Sequence, residues 1–248
     1  MLQERRERFG ILYVATGQPW FEEAVRSATS CKARMPDVPI AFFTDRPTEA
    51  DSKLFDHVFQ IAEPSYSYYD KIEPLTRTPF ERTLFLDSDT LVIEPVYELA
   101  PLLDRFDLAY CHAPMRYGEH DFPGCNEAFP QGNTGVILYR FISRVVTFFE
   151  KWAASYRTRD ERPGQDDGAA LNDQPSFRET IYESDLRFTI LPCEYNLRTN
   201  MPYFAGGRAK VKILHGRDPE LSTVAATANN TLWPRISASG MSRREQDE

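Results

Sequence analysis

The sequence predicts an α/β fold: a mixed, mainly parallel sheet flanked by helices, in a single domain. Two observations carry that prediction. Short apolar runs alternate with helix-like stretches through the first half of the chain, the pattern of strands joined by crossover helices. A mid-chain apolar run, residues 83–86 (TLFL), ends directly on Asp87-Ser88-Asp89, and open α/β sheets bind ligands at such strand ends. With 248 residues, 42% of them apolar and 27% charged, the composition is globular. A chain of this length buries roughly 70–75% of its unfolded surface.

The elements follow in order. Residues 1–9 read as a charged extension and 10–15 (GILYVA) as the first strand. The loop Thr16-Gly17-Gln18 leads to Pro19, which suits a first helical turn, and the helix runs to about Arg34. Residues 39–44 and 57–61 are the next strands, and 66–76 a short helix disturbed by Pro74. Residues 83–86 form the fourth strand and 107–111 the fifth. Residues 113–132 carry repeated Pro and Gly and little strand or helix signal, and a loop that long in a compact domain is usually functional. A strand at 135–140, an amphipathic helix at 142–156 and a charged connection at 157–168 follow, then a helix after Pro175 and strands at 188–191 and 211–214. The domain is expected to span 10–236, with a disordered polar tail at 237–248.

Composition excludes several classes. Asp and Glu number 37 against 29 Lys and Arg, a net charge of −8, which argues against a nucleic-acid binder. A bound metal or a local basic cluster can still hold an anionic ligand. No apolar run approaches the ~20 residues that span a bilayer. The first ten residues lack the apolar core of a secretory signal. Cys31, Cys111, Cys125 and Cys193 are scattered without C-x-x-C spacing and read as reduced thiols in a cytoplasmic protein. A zinc site from Cys111, His112, His120 and Cys125 fits no standard spacing.

The sharpest chemical feature is Asp87-Ser88-Asp89. In extended backbone, residues two apart point to the same side, so both carboxylates can reach one cation. Adjacent carboxylates repel, and a hard cation such as Mg²⁺ or Mn²⁺ relieves the repulsion. The same residues admit a turn, or the nucleophile strand of a haloacid-dehalogenase-type phosphatase with Asp87 attacking. That phosphatase motif normally continues Gly-Thr and sits on the first strand; here Thr90 follows Asp89 directly and three strand candidates come earlier. Asp166-Asp167 is the one candidate for that enzyme's downstream acidic pair.

The segment 71–92, KIEPLTRTPFERTLFLDSDTLV, closely resembles nucleotide-sugar-dependent glycosyltransferases of the GT-A fold. Its nearest likeness is to the family 8 type, with a sister nucleotide-diphospho-sugar transferase family equally plausible. Lys71 matches the basic residue that precedes the D-x-D strand and contacts the nucleotide. Asn133-Thr134-Gly135 before VILYR resembles the N-x-G-V strand, whose Asn faces the donor sugar. Asp173-Gln174 matches the D-Q pair near the reacting centre, and ILHGR the late strand whose His, here His215, completes the metal site with Asp87 and Asp89. The family pattern continues with Lys-Pro-Trp; here the sequence is His215-Gly216-Arg217-Asp218-Pro219, with Arg217 able to replace the phosphate contact.

The resemblance implies a GT-A-like, Rossmann-like domain that moves a sugar from a nucleoside diphosphate sugar, UDP-sugar favoured, to a hydroxyl of a glycan, a lipid-linked saccharide or a protein. Mn²⁺ or Mg²⁺ is the expected cofactor, and retention of anomeric configuration the expected outcome. Asp173, Gln174 and Asn133 are the candidate catalytic residues, and Lys71, Asp87, Ser88, Asp89, Arg217, Ala15 and Thr16 the candidate nucleotide contacts. The loop 113–132 is expected to be an acceptor lid. A non-catalytic sugar-nucleotide binding protein is a further alternative. Taken singly, His215 would read as a hydrogen-bonded histidine, Asn133 as a turn residue, Asp173 as a helix N-cap and Lys71 as a solvated charge. Tyr66, Tyr68 and Tyr69 read as helix packing, with one ring able to stack on a base.

Overall fold

The computed structural model describes residues 7–113, 125–126, 128–160, 172–200 and 210–229. Its first half runs β1 (Glu7–Ala15), α1 (Gln18–Arg34), β2 (Ile40–Thr44), β3 (His57–Gln60), α2 (Tyr69–Ile72), β4 (Phe80–Leu86), β5 (Thr90–Val92) and α3 (Leu99–Leu102). The second half runs β6 (Leu108–His112), β7 (Gly132–Arg140), α4 (Ser143–Asp160), α5 (Gln174–Tyr182), β8 (Phe188–Leu191), β9 (Leu197–Arg198), β10 (Ile213–His215) and α6 (Glu220–Thr227). The main sheet has the order β3-β2-β1-β4-β7-β6-β8, and a small second sheet the order β5-β10-β9. In the main sheet only β7 runs against its neighbours, so the expected mixed, mainly parallel α/β sheet is present.

The apolar runs form strands because both faces of the sheet are covered. In β1, Ile11, Tyr13 and Ala15 face one core, shared with Phe21, Ala24 and Ala28 of α1. Leu12 and Val14 face the other, shared with Phe149 and Trp152 of α4 and Phe177 of α5. Each such aliphatic or aromatic side chain contributes roughly 1.5–3 kcal/mol on burial. Gly17 makes the turn from β1 into α1 at φ 87°, a left-handed conformation that suits glycine. Its N–H donates to Asp45 Oδ1 at 3.0 Å.

Several boundaries differ from the sequence reading, each for a pairing reason. β1 starts at Glu7, because Glu7 already lies opposite Phe80 and Phe9 opposite Arg82. Residues 7–9, read from their charge as an extension, are therefore sheet. β7 starts at Gly132 rather than 135: past a register shift between Tyr110 and Cys111, Asn133 pairs with Cys111 and Gly132 with His112. That places Asn133 and Thr134 in the sheet, not in a turn before it. α4 continues to Asp160 and β10 ends on His215. β5, α3, β9 and α6 were not anticipated; strands of two or three residues leave no periodic signal. The expectations that fall on 114–124 of the lid, on 161–171 with Asp166-Asp167, and on the tail 237–248 lie outside the described residues.

One packing contact matters for the site. Trp152 is fully buried, stands edge-on to Phe177 at 5.0 Å, and donates its indole N–H to Ser176 Oγ (3.1 Å) and to the Asp173 carbonyl (3.3 Å). It thereby ties α4 to the start of α5 and fixes where Asp173 sits.

Candidate functional site

From β1 the chain crosses by α1 to β2 on one side, while β4 flanks β1 on the other. The carboxyl ends of β1 and β4 therefore border a topological switch point, where α/β sheets open a crevice. A cleft of about 310 Å³ lies there. The end of β1 contributes Ala15 and Thr16, the end of β4 contributes Asp87, Ser88 and Asp89, and Lys71, Asn133, Asp173, Gln174, His215 and Arg217 complete the lining. The candidate catalytic, nucleotide-contact and metal residues thus all border one cavity.

The acidic turn is held by backbone bonds. Asp87 N–H donates to Gly135 O (2.8 Å), Gly216 N–H to Asp89 O (2.9 Å) and the Thr90 hydroxyl to Asp87 O (2.8 Å). β10 pairs antiparallel with β5, His215 opposite Thr90, which carries a distant histidine to the turn. His215 Nε2 lies 3.1 Å from Asp89 Oδ1 and 3.9 Å from Asp87 Oδ2. One ligand atom from each of the three lies within 4.8 Å of the others. Glycine at 135 is required for this approach, since a Cβ there would stand 2.1 Å from His215 Cε1. Two carboxylates and one imidazole nitrogen form a donor set that fits a divalent cation such as Mn²⁺.

The electrostatics are uneven. Burial pushes the Asp87 carboxyl above its ordinary value; Asp89 and Asp173 add to the rise, while Lys71 and His215 oppose it. Burial also acts to raise Asp89, but His215, Arg217 and Arg198 outweigh it and hold that carboxyl well below the usual range. Lys71 is buried, which alone would favour the neutral amine, yet Asp173 and Asp87 push its pKa up and keep it charged. Its ammonium sits 3.1 Å from Asp87 Oδ1, 3.1 Å from Asp173 Oδ2 and 3.3 Å from Thr134 Oγ1. It is an internal counter-ion, not a solvated charge.

Asp173 occupies the N-cap position of α5 but makes no capping bond. Its carboxylate, 2% exposed, instead accepts the Thr134 hydroxyl at 2.7 Å beside Lys71. Asp173 therefore stands at the N-cap position with its side chain turned to the Lys71 cluster instead of the helix end. Arg217 donates to both oxygens of Glu23 on α1 (2.7 and 3.2 Å) and lies 3.3 Å from Asp89 Oδ2. Ser88 Oγ also donates to Glu23 at 3.1 Å. Thr16 is turned to Asp70, donating to Oδ2 at 2.7 Å. Of the tyrosines, Tyr69 packs on Tyr156, whereas Tyr66 and Tyr68 are exposed at the cleft. None of the four cysteines is in a disulfide.

Among the site residues that escaped the sequence reading, two stand beside His215. Asn196 hydrogen-bonds both Asn133 and His215, at 2.8 Å each, and Arg198 Nη1 stands 3.0 Å from His215 Nε2. Their spacing carried the signal that revealed Asp87 and Asp89: two polar residues two apart, around a buried Leu197. Without an adjoining apolar run it did not stand out.

No family model matches the sequence, and no curated protein matches it. Solved structures do match. The galactosyltransferase LgtC, in complex with donor and acceptor sugar analogs, superposes with a TM-score of 0.56 at 14% identity, covering 94% of this chain and 100% of that one. Mouse xyloside xylosyltransferase 1, in its apo form, gives 0.57 at 16% identity over 85% of this chain and 98% of that one. The glycosyltransferase GlyE of Streptococcus pneumoniae TIGR4 gives 0.60 at 15% identity over 86% of this chain and 56% of that one. The chain has the GT-A fold of these glycosyltransferases, as the sequence resemblance implies.

Proposed function

We propose that the protein is a metal-dependent glycosyltransferase that moves a sugar from a nucleoside diphosphate sugar to an acceptor hydroxyl with retention. One observation carries this reading: Asp87, Asp89 and His215, from strands far apart in sequence, converge at a switch-point cleft beside the Lys71–Asp173 pair. The glycosyltransferase fold of its structural neighbours supports it. In the reaction the acceptor oxygen bonds to the anomeric carbon, the bond from that carbon to the diphosphate oxygen breaks, and its electron pair leaves with the diphosphate. The acceptor proton is passed to the departing diphosphate.

Asp87, Asp89 and His215 would hold Mn²⁺ or Mg²⁺, which supplies charge neutralisation for the leaving diphosphate. Ala15 and Thr16 border the nucleotide, a UDP group being favoured, with the exposed Tyr66 and Tyr68 rings available to the base. Lys71 keeps its charge when desolvated and so adds a fixed positive potential beneath the phosphates. Arg217, held by Glu23, and Arg198, beside His215, add two further cations at the cleft. Asp173, buried and engaged by Lys71 and Thr134, orients the donor sugar with Gln174 and is not free to attack it. The acceptor is a glycan, a lipid-linked saccharide or a protein hydroxyl. Among the described residues no helix is long and apolar enough to cross a membrane; the setting we propose is cytoplasmic, where cysteines stay reduced.

The phosphatase alternative asks Asp89 to serve as a free acid/base, whereas its carboxylate is engaged by His215 and Arg217. The test is a screen of UDP-, GDP- and TDP-sugars, with Mn²⁺ or with EDTA, scoring release of nucleoside diphosphate. Mn²⁺-dependent release from one donor class is the expected result. Turnover of phosphomonoesters with a trapped adduct on Asp87 would establish the phosphatase, and saturable donor binding with no release in the presence of acceptors would establish a sensor.

A further inference from the structure

We propose that Asn133 and Asn196 are positioning residues, a buried relay that keeps a proton on Nδ1 of His215 and so reserves Nε2 as the nitrogen that faces the two aspartates. The polarity of the relay is set at its far end by the backbone. Gly135 N–H can only donate, and it donates to Asn133 Oδ1 at 3.0 Å. That contact identifies the Asn133 oxygen, which also lies 2.8 Å from the Asn196 amide. An oxygen acceptor demands a donor, so Asn196 meets it with Nδ2. The other arm of the Asn196 amide is then its oxygen, 2.8 Å from His215 Nδ1. A ring nitrogen facing an amide oxygen must carry hydrogen. Starting from one main-chain N–H, each step has a single outcome.

Burial makes the relay binding. Asn133 is 2%, Asn196 4% and His215 3% exposed, so little solvent competes, and a mismatched pair of oxygens or of hydrogens would leave polar atoms unsatisfied. The ring cannot slide away either, since it rests on Gly135 where a Cβ would clash. With the proton kept on Nδ1, Nε2 points at Asp89 Oδ1 from 3.1 Å. The Arg198 guanidinium, a donor only, stands 3.0 Å from the same nitrogen, so Nε2 is held as an acceptor, open to a cation that displaces the arginine. Asn133 was expected to face the donor sugar; its oxygen is turned inward instead, accepting from Gly135 and Asn196. The consequence for metal binding rests on the proposed transferase reading, whereas the proton position does not.

The experiment is nitrogen-15 NMR of histidine-labelled protein, metal-free and loaded with Zn²⁺ as a diamagnetic probe. His215 is expected to show a protonated Nδ1 in both states, against the preference of free neutral histidine for a proton on Nε2. A bare Nδ1 in the wild type overturns the relay, whatever the variants do. Asn196→Leu is expected to release that preference and to weaken Mn²⁺ binding by about 10–100-fold, the usual effect of losing a partner behind a metal ligand. Asn133→Asp, which keeps an acceptor for both Gly135 and Asn196, is expected to retain the protonated Nδ1, and Asn133→Leu to lose it. Folded Leu variants with unchanged nitrogen shifts and Mn²⁺ affinity would also overturn it. A protonated Nδ1 in a wild type that binds neither Mn²⁺ nor Zn²⁺ supports the relay and removes the transferase reading instead.

Discussion

Two buried carboxylate centres sit at opposite ends of the same sheet and differ in how their charge is met. At the amino-terminal end of β6, Asp107 is fully buried. It accepts the Arg187 N–H at 3.0 Å, the Arg187 guanidinium at 3.1 Å and the Arg144 guanidinium. Burial would raise its pKa, but the two arginines and the backbone donor bring it down to about 2. At the carboxyl end of β4, burial raises the pKa of Asp87; Lys71, shared between two acids, and His215 oppose the rise, and Asp89 and Asp173 add to it. The first centre is balanced: one buried carboxylate is met by two half-exposed arginines. The second gathers three carboxylates beside an open cleft, and its cations hold Asp89 down while Asp87 stays raised. Burial alone does not distinguish a binding centre from a structural one; unbalanced charge next to space does.

The largest effect should come from Asp87→Asn. It is expected to lower turnover on the order of a thousandfold, as for loss of a key electrostatic group, while the melting temperature holds or rises because a crowded charge is removed. A lost fold rather than lost turnover would collapse the distinction between the two centres. Asp107→Asn should do the reverse, costing about 2 kcal/mol of stability, read by denaturant unfolding, with turnover unchanged well below the melting point.

Acid sharpens the same contrast. The folded-state pKa of Asp107 is depressed, so its contribution is present above the ordinary carboxylate value and is lost as pH falls from about 4 towards about 2. The wild type and Asp107→Asn should therefore converge in stability over that window. For Asp87 the shift is upward, and ionisation costs stability as pH rises above about 4. Asp87→Asn should accordingly gain on the wild type there, in metal-free protein. Parallel curves for the two variants would contradict the assignment.

The smallest effect belongs to Arg217, whose side chain is 57% exposed and divided between Glu23 and Asp89. Arg217→Ala should raise the donor KM by less than about tenfold with little change in kcat, the modest loss of an exposed ion pair.

What was legible in the sequence follows from the same physics. The central strands and the Asp87-Ser88-Asp89 turn stood out because runs buried on both faces are continuous and end abruptly on charge. Asp173 and His215 were found by resemblance; their contacts with Lys71 and Asp89 link residues far apart in sequence and leave no local trace. The rest was hidden where local signal is weakest. β5 and β9 have three and two residues, yet they bring His215 to the acids and set Asn196 and Arg198 beside it. The capture of Arg217 by Glu23 joins residues 194 positions apart and has no local trace.

The central claim is that the open acidic centre holds a divalent cation together with a nucleoside diphosphate. Its most direct test is an electron paramagnetic resonance titration of Mn²⁺ into the wild type and into an Asp87→Asn/Asp89→Asn double variant, with and without UDP. The account predicts one saturable Mn²⁺ per wild-type chain, bound more tightly with UDP and absent from the double variant. Equal Mn²⁺ binding by both proteins, or none by the wild type with UDP present, would contradict it.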